Sequence, residues 1–221
     1  MTLPSPDVIG SYTVDDKMHF YASRRSELDR AGVNMVRTLK SFGFQPGSVI
    51  TNVSLTPEVV QFAPFEYAVQ ILGMYGTNAD LSPYDAGRVE SLSRQFDPVA
   101  IMGVGMDTLE GLKMMGHEAA TVFKGRTIWA RPDAYDAVVA MPGVFARRCV
   151  LAGPVLLFEC ANGNLHLDAR EWIGTCKENQ LRLTSRQIRA EPVSDLATGI
   201  SAQISDQACS CGNHDTIVDL L

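Results

Sequence analysis

The chain has 221 residues, 46% of them hydrophobic and 20% charged, with a mean hydropathy near zero, so it holds apolar material for one sizeable core or two small ones. A formal net charge of −6 is the wrong sign for a protein whose main partner is nucleic acid. No apolar run reaches membrane-spanning length, and Met1-Thr2-Leu3-Pro4-Ser5-Pro6 has no basic stretch ahead of an apolar one, so a cytoplasmic protein without a signal peptide is expected.

Residues 1–9 read as a Pro-containing lead-in. Thr13 or Asp15 can cap a helix predicted over 18–42, where Phe20, Ala31, Val33, Met35, Val36 and Leu39 recur at helical spacing. Gly43 stops it, and Pro46-Gly47 makes a turn into a β-branched strand over 48–53. Thr56-Pro57-Glu58 starts a second helix over 59–74, with Pro64 as a kink or break. The spacing then predicts a strand or loop at 75–80, helix at 85–95, strand at 99–104 and helix at 108–115. Short apolar pieces follow at 120–123 and 126–129, then helix at 133–139 and a strand-rich stretch at 145–158. Strands alternating with helices imply a parallel sheet with flanking helices. Beyond Cys160 the texture changes to polar-out alternation at 165–167, 180–184 and 200–204, as in antiparallel strands. The expected fold is therefore α/β: an α/β core over 1–154 and a small antiparallel β subdomain over 155–221.

Five Cys, two of them in the tight pair Cys209-Ser210-Cys211-Gly212, suit a metal or free thiols better than a disulfide framework. Cys160 and His166 flank a Gly turn at Gly163. Together with Cys209 and Cys211 they form a Cys₃His set suited to tetrahedral Zn²⁺, with His214 as the alternative nitrogen. Four protein ligands close the coordination shell, so a structural zinc is expected.

Several stretches, taken in order, resemble the phenylacetate–CoA ligase branch of the adenylate-forming (acyl/aryl-CoA synthetase) enzymes. Tyr12-Thr13-Val14-Asp15-Asp16 resembles the family's YTxxD segment, and Phe42 to Ser48 its G-x-x-P-G-D turn. Phe96-Asp97-Pro98-Val99 is similar to its F-x-P strand entry. Gly153-Pro154, Glu159-Cys160, Gly163 and His166 resemble its GPG…EC…GLH segment. Leu181 to Ser185 resembles ELVLT, and Cys209 to Gly212 its C-x-C-G. Some members of that family hold zinc on these Cys and His positions, and the family builds its acid pocket near the segment carrying Phe62, Phe65 and Tyr67.

The departures fall on the ATP-handling parts. The resemblance implies a Gly-rich phosphate loop ahead of Tyr12 and a C-terminal domain with a catalytic Lys; neither is expected in these 221 residues. The adenine-contact Gly-Ala-Glu-Pro corresponds to Trp129-Ala130-Arg131-Pro132. The Tyr-Gly-x-Thr-Glu motif, whose Glu assists Mg²⁺, corresponds to a stretch containing Arg147 and Arg148, and the ribose-gripping Asp to Ile200. A truncated, degenerate relative that uses neither ATP nor Mg²⁺ is expected. It would bind an aromatic or acyl small molecule and catalyse acyl transfer, condensation or cyclisation in specialised metabolite biosynthesis. The alternatives are a noncatalytic partner or scaffold of a ligase or carrier protein, and a divergent acid–CoA/AMP ligase. A homodimer is expected.

Candidate substrate-binding residues are Phe62, Phe65, Tyr67, Trp129 and Arg131. Candidate catalytic groups are His19, Glu58 and Glu66 as acid/base residues and Cys149, beside two arginines, as a nucleophile. The competing readings are plain helix core for the aromatics and a small strand hydrophobe for Cys149.

Overall fold

The computed structural model describes residues 5–221. The reading of the chain start turns on residues 1–4 and lies outside them. The chain forms two compact units that are discontinuous in sequence. One comprises Met1–Phe42, Pro57–Ala68 and Leu151–Leu221; the other comprises Gly43–Thr56 and Val69–Val150. Residues 5–42 and 57–68, expected with the α/β core, thus cluster with the C-terminal β-rich part. The physical reason is that their buried faces pack there, as the contacts below show.

The first correction lies at the start. The chain opens with a hairpin, β1 (Val8–Val14) and β2 (Lys17–Ser23), before α1 (Arg25–Lys40). The helix predicted over 18–42 therefore begins seven residues late. Asp15 and Asp16 are the cause: φ values of 48° and 59° make the two-residue turn that antiparallel strands prefer, so Asp15 turns a hairpin and caps nothing. Phe20 is 72% exposed on β2. The face α1 buries carries Leu28, Gly32, Val36 and Leu39, a helical repeat, and with them Glu27, Asn34 and Thr38. Val33 faces out. Gly32 permits close approach to the second helix: a Cβ there would lie 2.8 Å from Pro64 O and 2.8 Å from Tyr67 Cδ1.

The β-rich unit continues with a 3₁₀ turn at Thr56–Glu58 and the first turns of α2 (Val59–Ile71), in which Pro64 is accommodated inside the helix. After β7 (Phe145–Ala152) and a turn at Gly153, β8 (Val155–Phe158) is buried throughout. There follow β9 (Leu165–Leu167), β10 (Trp172–Lys177), β11 (Gln180–Ser185), β12 (Leu196–Ser205) and β13 (Thr216–Leu220). They form an antiparallel sheet in the order β10-β11-β12-β13-β9. β10 and β13 are additions to the expected strands. Leu165, Leu167, Leu181, Leu183, Ala202 and Val218 fill the core, and Phe65 meets Phe158 edge-on at 5.5 Å.

The second unit is a parallel layer. β3 (Val49–Ser54), β4 (Tyr75–Asp80), β5 (Ala100–Val104) and β6 (Thr127–Ala130) pair with the first half of β7 in the order β4-β3-β5-β6-β7. The connections carry α3 (Ala86–Phe96), α4 (Met106–Met114), α5 (Ala119–Phe123) and α6 (Tyr135–Val139). β5 and β6 are buried along their whole length, as strands covered on both faces must be. Ile101, Ile128, Leu112, Phe123 and Val138 are wholly buried in its core. Among the described residues no helix is long and apolar enough to cross a membrane.

Candidate functional site

Two features of the β-rich unit stand out, and one helix serves both. The first is the Cys/His cluster. The turn after β8 carries Cys160, β9 carries His166, and the knuckle ahead of β13 carries Cys209 and Cys211. Their donor atoms all lie within 4.8 Å of one another. Cys160 Sγ is 3.8 Å from Cys209 Sγ, and Cys211 Sγ is 3.4 Å from His166 Nε2. The other imidazole nitrogen, Nδ1, lies 3.4 Å from the Asp215 carbonyl, which turns Nε2 toward the sulfurs. His214 is exposed and outside the group.

The electrostatics suit a metal. Burial lowers the His166 pKa and favours the neutral ligand form. Burial works to raise Cys209, but hydrogen bonds from Asn164 Nδ2 at 3.1 Å and the Cys211 backbone N–H at 3.4 Å hold it below the ordinary thiol value. Cys211 is pushed up to about 12, by burial first and then by the neighbouring sulfurs. Sulfurs crowded this closely need a cation to be thiolates together.

The knuckles are fastened to the C-terminal half of α1. Ser41 Oγ accepts from the Ala161 N–H at 3.0 Å, and Asn213 Nδ2 donates to Thr38 Oγ1 at 3.0 Å. Arg37 Nη2 donates to Asp215 Oδ2 at 2.6 Å and lies 3.7 Å from Asp168 Oδ1. Asn34 Nδ2 donates to Asp168 Oδ2 at 2.6 Å.

The second feature is a cavity of about 50 Å³ inside the same unit, along α1 from Glu27 to Thr38. It is lined by apolar side chains of α1, α2 and β8 and by Tyr21, Glu27, Gln61, Asp168, Arg189 and Asp215. An ion network closes one side. Glu171, 2% exposed, accepts two bonds from Arg30 at 2.6 and 3.0 Å and one from Arg189 at 2.6 Å. Arg189 stacks on Trp172 at 4.0 Å. Glu27 Oε1 accepts from Arg24 Nη1 at 3.0 Å and from the Ala190 N–H at 2.7 Å. Burial lifts the Asp168 carboxyl to about 6, against the lowering effect of the Arg170 N–H and Asn34. Burial lifts Tyr21 to about 12; Arg189 opposes this without forming a well-made hydrogen bond to the hydroxyl.

Sequence reasoning passed over Arg24, Glu27, Asn34, Asp168, Glu171, Arg189 and Asp215, all of them buried or half-buried. One signal was available. Glu27, Arg30, Asn34 and Arg37 fall at three- and four-residue intervals, a polar stripe along one side of α1.

The remaining candidates fall on both units. His19 lies exposed on β2 and stacks on Tyr12 at 5.3 Å. Glu58 is buried in the 3₁₀ turn, and Glu66 and Tyr67 are half-buried on α2. Phe62 and Phe65 are core side chains, 2% and 1% exposed. In the parallel unit Trp129 is wholly buried with Phe44 edge-on at 6.4 Å, and Arg131 Nε donates to Gly103 O at 3.0 Å. Cys149 is buried on β7, with Sγ 3.5 Å from Trp129 O. Arg147 and Arg148 stand opposite Trp129 and Ala130 on the neighbouring strand, Arg148 over the Tyr135 ring at 4.1 Å.

No family model and no curated protein matches the chain. Solved structures do. An open conformation of 2-hydroxyisobutyryl-CoA ligase, in complex with 2-HIB-AMP and CoA, is similar with a TM-score of 0.74 at 12% identity, over 98% of this chain and 57% of that one. The same ligase in a postadenylation state is similar with a TM-score of 0.72 at 13% identity, over 99% and 52%. The Klebsiella oxytoca NpsA N-terminal subdomain in complex with anthranilyl-AMSN is similar with a TM-score of 0.58 at 10% identity, over 97% and 63%. The chain spans about half to two-thirds of these relatives. The fold is that of the N-terminal part of adenylate-forming ligases.

Proposed function

We propose that this chain, which has the fold of adenylate-forming ligases, handles an aryl or acyl group that is already activated and does not adenylate it. The supporting observation is the arginine-bearing end of β6 and the strand beside it. Where the resemblance calls for an adenine-contact Glu and a Mg²⁺-assisting Glu, the strands present Arg131 tied to Gly103 O, and Arg147 and Arg148 in register with buried Trp129 and Ala130. In parallel sheets ligands bind outside the carboxyl ends of the strands. Guanidinium groups there repel Mg²⁺ and suit an anionic group such as a phosphorylated carrier. Acyl transfer, condensation or cyclisation in specialised metabolism is the matching reaction class. Calorimetric titration with ATP–Mg²⁺ tests the reading: no heat of binding is expected, and micromolar binding would overturn it. A screen of aryl and acyl thioesters should produce turnover or saturable stabilisation.

The Cys₃His cluster we assign to structural zinc. Tetrahedral Zn²⁺ has S–S edges of about 3.8 Å and S–N edges of about 3.5 Å, and the two close pairs here measure 3.8 and 3.4 Å.

Self-association is supported by the hairpin: Ile9, Met18 and Phe20 are 67%, 65% and 72% exposed, and the strand register puts them on one face. Light scattering should give a dimer; a monomer at micromolar concentration contradicts this.

A further inference from the structure

The cavity beside α1 has a chemical asymmetry. Three oxygens on three different elements that line it have no hydrogen-bond donor: Tyr21 Oη from β2, Glu27 Oε2 from α1 and Gln61 Oε1 from α2. All three residues are 2% exposed or less. Buried polar atoms without partners are rare and costly, so three around one small space call for an occupant. Gln61 cannot turn its amide round to relieve this, because its Nε2 already donates to Ser11 O at 3.3 Å and Gly153 O at 3.2 Å. Nor does Arg189 satisfy Glu27: its Nη1 is 4.0 Å from Oε2, and its Nη2 is committed to Glu171.

The occupant's chemistry follows from the lining. It must supply up to three donors; the unpartnered N–H donor among the described lining residues, Arg189 Nε, belongs to the guanidinium stacked on Trp172. Glu27, Asp168 and Asp215 bring three carboxylates to the lining beside Arg189 and His166, and Arg24 and Arg37 pair with those carboxylates from outside it. Apolar residues such as Leu28, Met35, Val60 and Phe158 form much of the remaining wall, and Ser23, Asn34, Thr38 and His166 add polar groups. A volume of about 50 Å³ holds about three or four waters, or as many non-hydrogen atoms.

We propose that this cavity binds the ammonium group of a small primary amine. Its three N–H donors would go to Tyr21 Oη, Glu27 Oε2 and Gln61 Oε1, with its short carbon chain against the apolar wall. A primary ammonium is the compact cation with three donors. The site does not depend on the proposed acyl chemistry, and its lining includes His166 of the Cys/His cluster.

Thermal unfolding of the full chain tests it, titrating ethylammonium chloride against tetramethylammonium chloride at equal ionic strength and against ethanol. Ethylammonium alone should raise the midpoint, with saturation. Glu27→Gln should weaken the ethylammonium effect at least about tenfold, as expected for losing a bond to a charged group. Tyr21→Phe removes a hydroxyl that makes no hydrogen bond, so it keeps the fold, and it should weaken binding several-fold; it decides the matter if Glu27→Gln does not fold. No midpoint shift, equal shifts from all three compounds, or unaltered ethylammonium binding in Tyr21→Phe would overturn the proposal and leave the cavity to ordered water.

Discussion

Arg37 and Asp215 are joined by a 2.6 Å ion pair between α1 and the end of the Cys209–Cys211 knuckle, and the carbonyl of the same Asp215 faces His166 Nδ1. One residue thereby connects the helix to the orientation of a metal-ligating ring. Arg37→Met should weaken metal affinity about tenfold or more, as losses behind a metal ligand do. It should cost about 2 kcal/mol of stability, less than a fully buried pair because Arg37 is 27% exposed. Competition with a chromogenic chelator and chemical unfolding measure the two effects. Metal affinity equal to the parent would separate Arg37 from the cluster.

The cluster itself should carry about one equivalent of zinc by elemental analysis. Cys209→Ser should lose the metal and more than about 4 kcal/mol, roughly a 10 °C fall in midpoint for a chain of this size. Prolonged chelation of the parent should give the same fall. An unchanged midpoint after complete metal removal would count against a stabilising role.

Glu171 is the hub of the ion network, with side-chain exposure of 2% against 4% for Arg189. Glu171→Gln leaves the buried Arg189 guanidinium without its counter-charge and should cost about 3 kcal/mol. The double variant Glu171→Gln/Arg189→Met should recover part of that loss, since it strands no charge at the Arg189 position. Urea unfolding of these two variants and of Arg189→Met checks the cycle.

Tyr21 predicts a pH effect at the alkaline end. Its folded pKa is raised to about 12 from 10.0 by burial, so the fold favours the neutral phenol. Its contribution is fully present below pH 10 and is lost as pH rises from about 10 through about 12. Ultraviolet titration should show a late-ionising tyrosine that is missing in Tyr21→Phe. That variant should also be less sensitive to alkali.

Gly32→Ala tests the close approach of α1 and α2. A methyl group there meets Pro64 O and the Tyr67 ring, both at 2.8 Å, so a substitution that favours an isolated helix should destabilise the protein by about 1–3 kcal/mol. A gain in midpoint would show that the helices separate easily.

The sequence by itself determined the central strands β5 and β6 of the parallel layer, because each is a short apolar run punctuated by Gly, Pro or Asp, and buried strands need little else. It also determined the Cys₃His cluster, since ligand type and tight Cys-x-Cys spacing survive any detail of packing. The tertiary structure decided the rest. Whether 17–23 was strand or helix depended on Asp15 and Asp16 entering left-handed conformations, a choice stabilised by strand pairing that periodicity does not encode. The membership of the two units depended on which face of α1 met which sheet. Lone polar letters such as Glu27, Asp168, Glu171 and Arg189 looked like surface residues, and Glu27 lies 163 positions from the Ala190 N–H it meets. Only folding buries them together, and burial in turn changes their charge chemistry.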